Sequence, residues 1–209
     1  MTASAERLED IYKTLFEYFG PQHWWPADSP FEVIVGAVLT QNTNWRNVST
    51  SIDNLRRHGL LSFDLLLSLP EDELAQLIRP SGYYNLKARR LKNLLQMVGD
   101  DCDGDLELLF SEPLEKVRER LLQVRGVGPE TADSILLYAG GMPVFVVDAY
   151  THRIFSRHSL IPDECDYQTI QDLFMDNLEH DPAMFNEYHA LIVKTAKEFC
   201  KKTNPLCSQ

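Results

Sequence analysis

An all-α fold is predicted for this 209-residue chain. Apolar residues recur at helical spacing along nearly its whole length. Several of these stretches open at or after Asp, Asn or Pro, and several close before Gly, residues that start and stop helices. Strand character is confined to Val144–Val147, too short to build a sheet. About ten helices are expected on these patterns.

The first expected helix spans Ala5 to Phe19, with Leu8, Ile11, Tyr12, Leu15, Phe16 and Phe19 on one stripe, and Gly20-Pro21 ends it. Phe31 to Thr40 is almost wholly apolar, the mark of a buried central helix. Trp45 to Arg57 follows and stops at His58-Gly59. Pro70-Glu71-Asp72-Glu73 reads as a helix start, with acids facing the positive end of the dipole. Tyr84 to Val98 follows the break at Pro80-Ser81-Gly82, and Pro113 opens another helix at its first turn. A helix over Pro129 to Ala139 comes next, then Ala149 to His158, Tyr167 to Leu178 and Pro182 to Cys200.

The composition narrows the classes of function. With 44% apolar residues the chain buries a real core, and its net charge of -11 argues against coating nucleic acid through bulk charge. A local basic face is still expected, because Leu74 to Gly99 contains no acid but carries Arg79, Lys87, Arg89, Arg90 and Lys92. No apolar run approaches the roughly 18 residues that span a bilayer, and the polar, acidic N-terminus does not read as a secretory signal. A cytoplasmic protein with reduced cysteines is expected, without membrane contact.

Two features carry chemistry. Gly126-Val127-Gly128 joins two helical patterns, and glycines there let an anion approach backbone N–H groups at a helix start. An ordinary tight turn between helices has the same spacing. Asp148 follows four apolar residues and precedes a helix, so its plain role is an N-cap, a role that also fixes a carboxylate in space. His23-Trp24-Trp25-Pro26 forms either a hydrophobic plug or an aromatic wall.

The segment LQVRGVGPETADSILLYAG resembles the helix–hairpin–helix of the endonuclease III superfamily of DNA glycosylases, with Arg125 standing where proline is usual and Pro129 removing one donor. The resemblance runs from about Phe16 to Cys207. VFVVDAYTHRI places Asp148 where that family keeps its catalytic aspartate, and AVLTQNT and RPSGYYNLKARRL resemble its two DNA-probing segments. WWPADSPFEVIVGAVLTQNT is similar in particular to the 3-methyladenine DNA glycosylase branch.

The resemblance implies two helical lobes with a central cleft. One, over residues 30–142, carries the helix–hairpin–helix at 113–139; the other joins 1–29 to 143–209. It implies a DNA glycosylase of base excision repair that flips alkylated bases, chiefly 3-methyladenine, out of duplex DNA. Glu130 occupies the position of the lyase lysine, so the enzyme is expected to be monofunctional. An endonuclease III-like enzyme for oxidised or mismatched pyrimidines and a non-catalytic lesion-binding module are the alternatives. Trp24, Trp25, Pro26, Glu130 and Lys197 are expected at the base pocket. Gln41 is expected to fill the gap left by the flipped base and Tyr83 to wedge the opposite strand, with Lys87, Arg90, Gly126, Val127 and Gly128 also meeting DNA. Cys200-x6-Cys207 matches half of the family's iron–sulfur loop, so a 4Fe-4S cluster is expected only if the native chain extends past Gln209. Catalysis needs no cofactor on this reading. A monomer is expected, with an abasic-site endonuclease acting downstream, associated with a bacterial or archaeal nucleoid.

Overall fold

The computed structural model describes residues 2–206. Among them are twelve α-helices and no strand: α1 Ala3–Phe19, α2 Pro30–Leu39, α3 Trp45–Arg57, α4 Phe63–Ser68, α5 Glu71–Leu77, α6 Tyr84–Cys102, α7 Leu106–Phe110, α8 Leu114–Gln123, α9 Pro129–Ser134, α10 Ala149–Arg157, α11 Tyr167–Met175 and α12 Pro182–Glu198. Two compact units result. One is the continuous stretch Ala27–Gly140; the other is assembled from the chain up to Pro26 and from Gly141 onward.

In the continuous unit α2 is the central helix. Every residue from Glu32 to Leu39 is buried, and α3, α6, α9 and the segment after α9 pack around it. Helix α3 shows how the pattern dictates the packing. Val48, Ser51, Ile52 and Leu55 form the inward stripe, and Asn44 caps the start by accepting the Asn47 N–H at 3.1 Å. Helices α4 and α7 were not expected. At six and five residues they are too short to show a period in the sequence. The expected helix over 129–139 is α only to Ser134, and Ile135–Ala139 forms a π-turn closed by Gly140 N–H to Ile135 O at 3.1 Å. Helices α8 and α9 are tied by a bidentate pair: Arg118 Nε and Nη2 donate to Asp133 Oδ1 and Oδ2 at 2.7 and 3.1 Å, with Asp133 fully buried.

The discontinuous unit is built on aromatic rings. Phe145 stacks on Phe174 with centroids 3.7 Å apart, and Phe185 and Tyr188 meet Phe145 edge-on. Tyr188 is fully buried, and its hydroxyl donates to Leu8 O at 2.9 Å, joining α12 to α1. Val144–Val147 does not form the strand its composition suggests. All four residues are buried, and side chains of the 167–171 stretch replace a partner strand. Gln171 Nε2 donates to Phe145 O at 2.7 Å, and the Tyr167 hydroxyl accepts the Val147 N–H at 3.4 Å.

Replacing Arg118 by Ala leaves the Asp133 carboxylate buried without its guanidinium. The unfolding free energy in urea is expected to fall by about 3–5 kcal/mol, with an unchanged m-value.

Candidate functional site

Asp148 is the N-cap of α10. Its Oδ1 accepts the N–H groups of Tyr150 and Thr151 at 2.9 and 2.8 Å and the Thr151 hydroxyl at 3.0 Å. The other oxygen, Oδ2, lies 3.5 Å from His189 Nε2, and the carboxylate is only 11% exposed. Burial is the largest single influence and opposes ionisation. The contacts from His189 and Thr151 together outweigh it and hold the carboxyl below the usual aspartate range. The group is therefore a fixed, ionised and poorly hydrated anion. His189 comes from α12, 41 residues on (189 − 148), and nothing in the sequence announces it. Thr151 had a signal, a hydroxyl three residues after a capping Asp.

Lys197 belongs to the same neighbourhood. Its ammonium stands 5.7 Å from the Tyr150 ring centre, and Arg153 stacks over that ring at 5.0 Å. Desolvation lowers the Lys197 pKa, Asp148 pushes it back up less strongly, and Lys194 adds to the lowering. Trp24 and Trp25, in the same unit, are both half-buried, with ring centres 5.0 Å apart and planes inclined by 54°. Pro26 beside them is exposed.

The hairpin has the geometry of an anion cradle with fewer donors than expected. Gly126 has φ +104°, a region costly for other residues, and a Cβ there would sit 2.3 Å from Arg90 Cγ. The N–H groups of Gly126 and Gly128 donate to no acceptor among the described residues. Val127 does not add a third: its N–H donates to Val124 O at 3.0 Å and its side chain is buried. Pro129 occupies the first helical position, where a missing N–H costs nothing. Glu130 follows it, exposed on the first turn of α9.

Gln41 does not project freely. Its amide Nε2 donates to Gly126 O at 3.1 Å and to the Thr131 hydroxyl at 2.9 Å, and its Oε1 accepts from Arg90. Gln41, half-buried Arg90, Gly126 and Thr131 thus form one network. Tyr83 does project. It is 71% exposed and sits at φ +47° at the start of α6.

Lys87 does not contribute to the basic face expected on this stretch. Lys87 is 1% exposed, and its ammonium donates to Leu39 O at 2.8 Å and Ser81 O at 2.7 Å. The reason is angular, since Lys87 shares a side of α6 with Leu91, Leu94 and Leu95. Lys92 donates to Leu66 O and Leu67 O at 2.6 and 2.8 Å, and Arg89 pairs with Glu71 at 3.3 Å. Cys200 is buried, and its Sγ accepts from Arg157 at 3.3 Å. Cys207 lies outside the described residues. Among the described residues no group of three His, Cys, Asp or Glu could hold a metal ion, and no helix is long and apolar enough to cross a membrane.

The profile of the HhH-GPD superfamily of base excision DNA repair proteins matches residues 35–180, which include the hairpin and Asp148. The chain belongs to that superfamily. A Methanocaldococcus jannaschii protein described as a DNA repair glycosylase is 48% identical over 94% of this chain and 90% of its own length. Endonuclease III of Thermotoga maritima is 26% identical over 97% of this chain and 88% of its own. The 3-methyladenine DNA glycosylase MagIII of H. pylori, solved with 1,N6-ethenoadenine, superposes with a TM-score of 0.81 at 30% identity, covering 94% of this chain and 98% of that one. Endonuclease III in a trapped covalent DNA intermediate superposes at 0.84 and 21% identity over 100% of this chain and 93% of that one, which shows the shared fold. This HhH-GPD protein is accordingly a DNA glycosylase of base excision repair, acting on damaged DNA.

Two outcomes follow from the geometry of this glycosylase. Gly126→Ala, strained in φ and driven into Arg90, is expected to lose about 1–3 kcal/mol of stability, whereas Gly128→Ala, with open space around its Cβ, stays within about 0.5 kcal/mol of the parent; thermal melting compares them. The second concerns pH. The folded Asp148 ionises at lower pH than the unfolded one. Its stabilising contribution is therefore complete above the ordinary aspartate range and is lost as pH falls through the depressed folded value. Thr151→Val removes one donor and raises that folded value. The acid limb of the urea midpoint is expected to move to higher pH in the variant.

Proposed function

We propose that this glycosylase is monofunctional and removes alkylated bases, chiefly 3-methyladenine, from duplex DNA. The observation that carries the reading is Asp148, a carboxylate kept ionised while nearly buried. Cleavage of an N-glycosidic bond develops positive charge on the sugar, and a fixed anion with little water around it stabilises that charge strongly. The same carboxylate accepts a proton from the water that attacks C1′. A base alkylated on a ring nitrogen carries positive charge while still attached. It leaves as a neutral molecule, so no general acid is required.

The half-buried Trp24–Trp25 pair supports a cationic substrate. An indole face attracts a cation by roughly 0.5–2 kcal/mol, and two inclined rings form a wall for a flipped base. On this reading Pro26 and Lys197, in the same unit as the tryptophans, complete the wall. Glu130 supports the absence of lyase chemistry, since a carboxylate cannot form the Schiff base through which a lysine would cut the strand. MagIII, 30% identical to this chain, is a 3-methyladenine glycosylase, and this likeness favours the alkylated purine over an oxidised pyrimidine. The product is an intact strand with an abasic site, which an abasic-site endonuclease must then process. The protein acts as a monomer.

Base release from randomly methylated DNA, compared with a thymine glycol duplex, tests the reading. Free 3-methyladenine is expected from the first and no product from the second. Borohydride is expected to trap no covalent complex, and a trapped strand would sink the monofunctional claim. Asp148→Asn is expected to lower the single-turnover rate by about a hundredfold or more while still binding duplex; equal release by variant and parent would remove Asp148 from the chemistry.

A further inference from the structure

Lys87 is a fully buried cation with no carboxylate beside it, and its two hydrogen bonds have a pattern. One goes to Leu39 O at 2.8 Å, at the end of α2 and two residues before Gln41. The other goes to Ser81 O at 2.7 Å, at the end of the short 3-10 turn Arg79–Ser81 and two residues before Tyr83. Each carbonyl ends a helical segment and lacks an intrahelical donor. Each also stands where the chain leaves that segment for a residue with unusual backbone geometry. Asn42 has φ +53°, Gly82 φ +69° and Tyr83 φ +47°. A buried cation is expensive, and burial lowers the Lys87 pKa to about 8, with Arg90 adding to the effect. A neutral methionine would fill the same space without that cost, so the ammonium is retained for its donors.

We infer that Lys87 is a positioning residue that fixes the Gln41 and Tyr83 segments relative to one another, so that both enter the duplex in register. The ammonium holds two backbone carbonyls 42 residues apart (81 − 39) on one atom. Neither segment can shift without breaking a buried hydrogen bond. Gln41 is held from its other side by Gly126, Thr131 and Arg90. The Lys87 clamp therefore sets its backbone while the hairpin network sets its side chain. The inference rests on the reading of Gln41 and Tyr83 as the probing residues. It does not rest on Asp148 or on the identity of the excised base.

The test measures binding, so it stands apart from the chemistry. Lys87→Met, Gln41→Ala, Tyr83→Ala and the two double variants with Lys87→Met are compared on an intact duplex and on one containing a stable abasic analogue, which offers the gap that insertion fills. Lys87→Met is expected to bind the abasic duplex about tenfold more weakly while its affinity for the intact duplex is unchanged. In the Gln41→Ala and Tyr83→Ala backgrounds Lys87→Met should cost little more, because the insertion it supports is already lost. Equal weakening on both duplexes, or fully additive losses, overturns the inference in favour of a general structural role. Should Lys87→Met fail to fold, Lys87→Gln takes its place: its amide ends one bond short and should show the same selective loss, and parental behaviour overturns the inference. If Gln41→Ala and Tyr83→Ala both keep the parental preference for the abasic duplex, the probing roles fail and the inference falls with them.

Discussion

Backbone groups at helix ends must find partners, and a chain of many short helices has many ends. This constraint decides where the charges of the molecule go. Lys87 and Lys92 donate to carbonyls at the ends of α2 and α4 and of the short turn before Gly82. Arg153 and Arg157 donate to the carbonyls of Ala196, Cys200, Lys201 and Lys202, which closes the end of α12. Asp105, Asp148, Asp166 and Asp181 accept the N–H groups at helix starts. Two of the cations in the acid-free stretch, Lys87 and Lys92, are thereby spent on backbone carbonyls. What remains at the hairpin is a pair of backbone N–H groups, which suits a protein of net charge -11.

The same constraint explains the character of Asp148. A cap must come close to N–H groups, and close approach strips water from the carboxylate. Ordinarily this raises a pKa, but here three hydrogen bonds and His189 oppose it. Local structure and reactivity are therefore one arrangement: the donors that start α10 also keep the anion charged. A looser, hydrated aspartate would be as ionised but would act on a developing charge through water, where the interaction is several-fold weaker.

Much of this was legible beforehand. The all-α class, the central helix α2, the cap at Asp148 and the glycine hairpin follow from periodicity and from residues with strong local preferences. What escaped the sequence is what depends on direction or distance. Which side of α6 Lys87 faces is decided by its apolar neighbours, and a basic composition concealed it. His189 and the Arg118–Asp133 pair are meetings of separate elements with no local trace. Val144–Val147 looked like a strand because it is buried and branched, yet the polar side chains of Tyr167 and Gln171 meet its backbone instead. The bonds of the Gln41 amide to a carbonyl and a hydroxyl 85 and 90 residues away likewise leave no local trace.

The hydrogen bond from Tyr188 to Leu8 O joins residues 180 apart in sequence, and this has a consequence for the order of assembly. The stretch Ala27–Gly140 is continuous, so all its internal partners have been made once residue 140 leaves the ribosome. The other unit must wait. Helix α1 is made before that stretch and meets its partner only when α12 has been synthesised. Since α12 also brings His189 to Asp148, the carboxylate acquires this neighbour only after α12 has been made. A nascent chain at this stage therefore has its continuous unit complete while Asp148 still lacks His189.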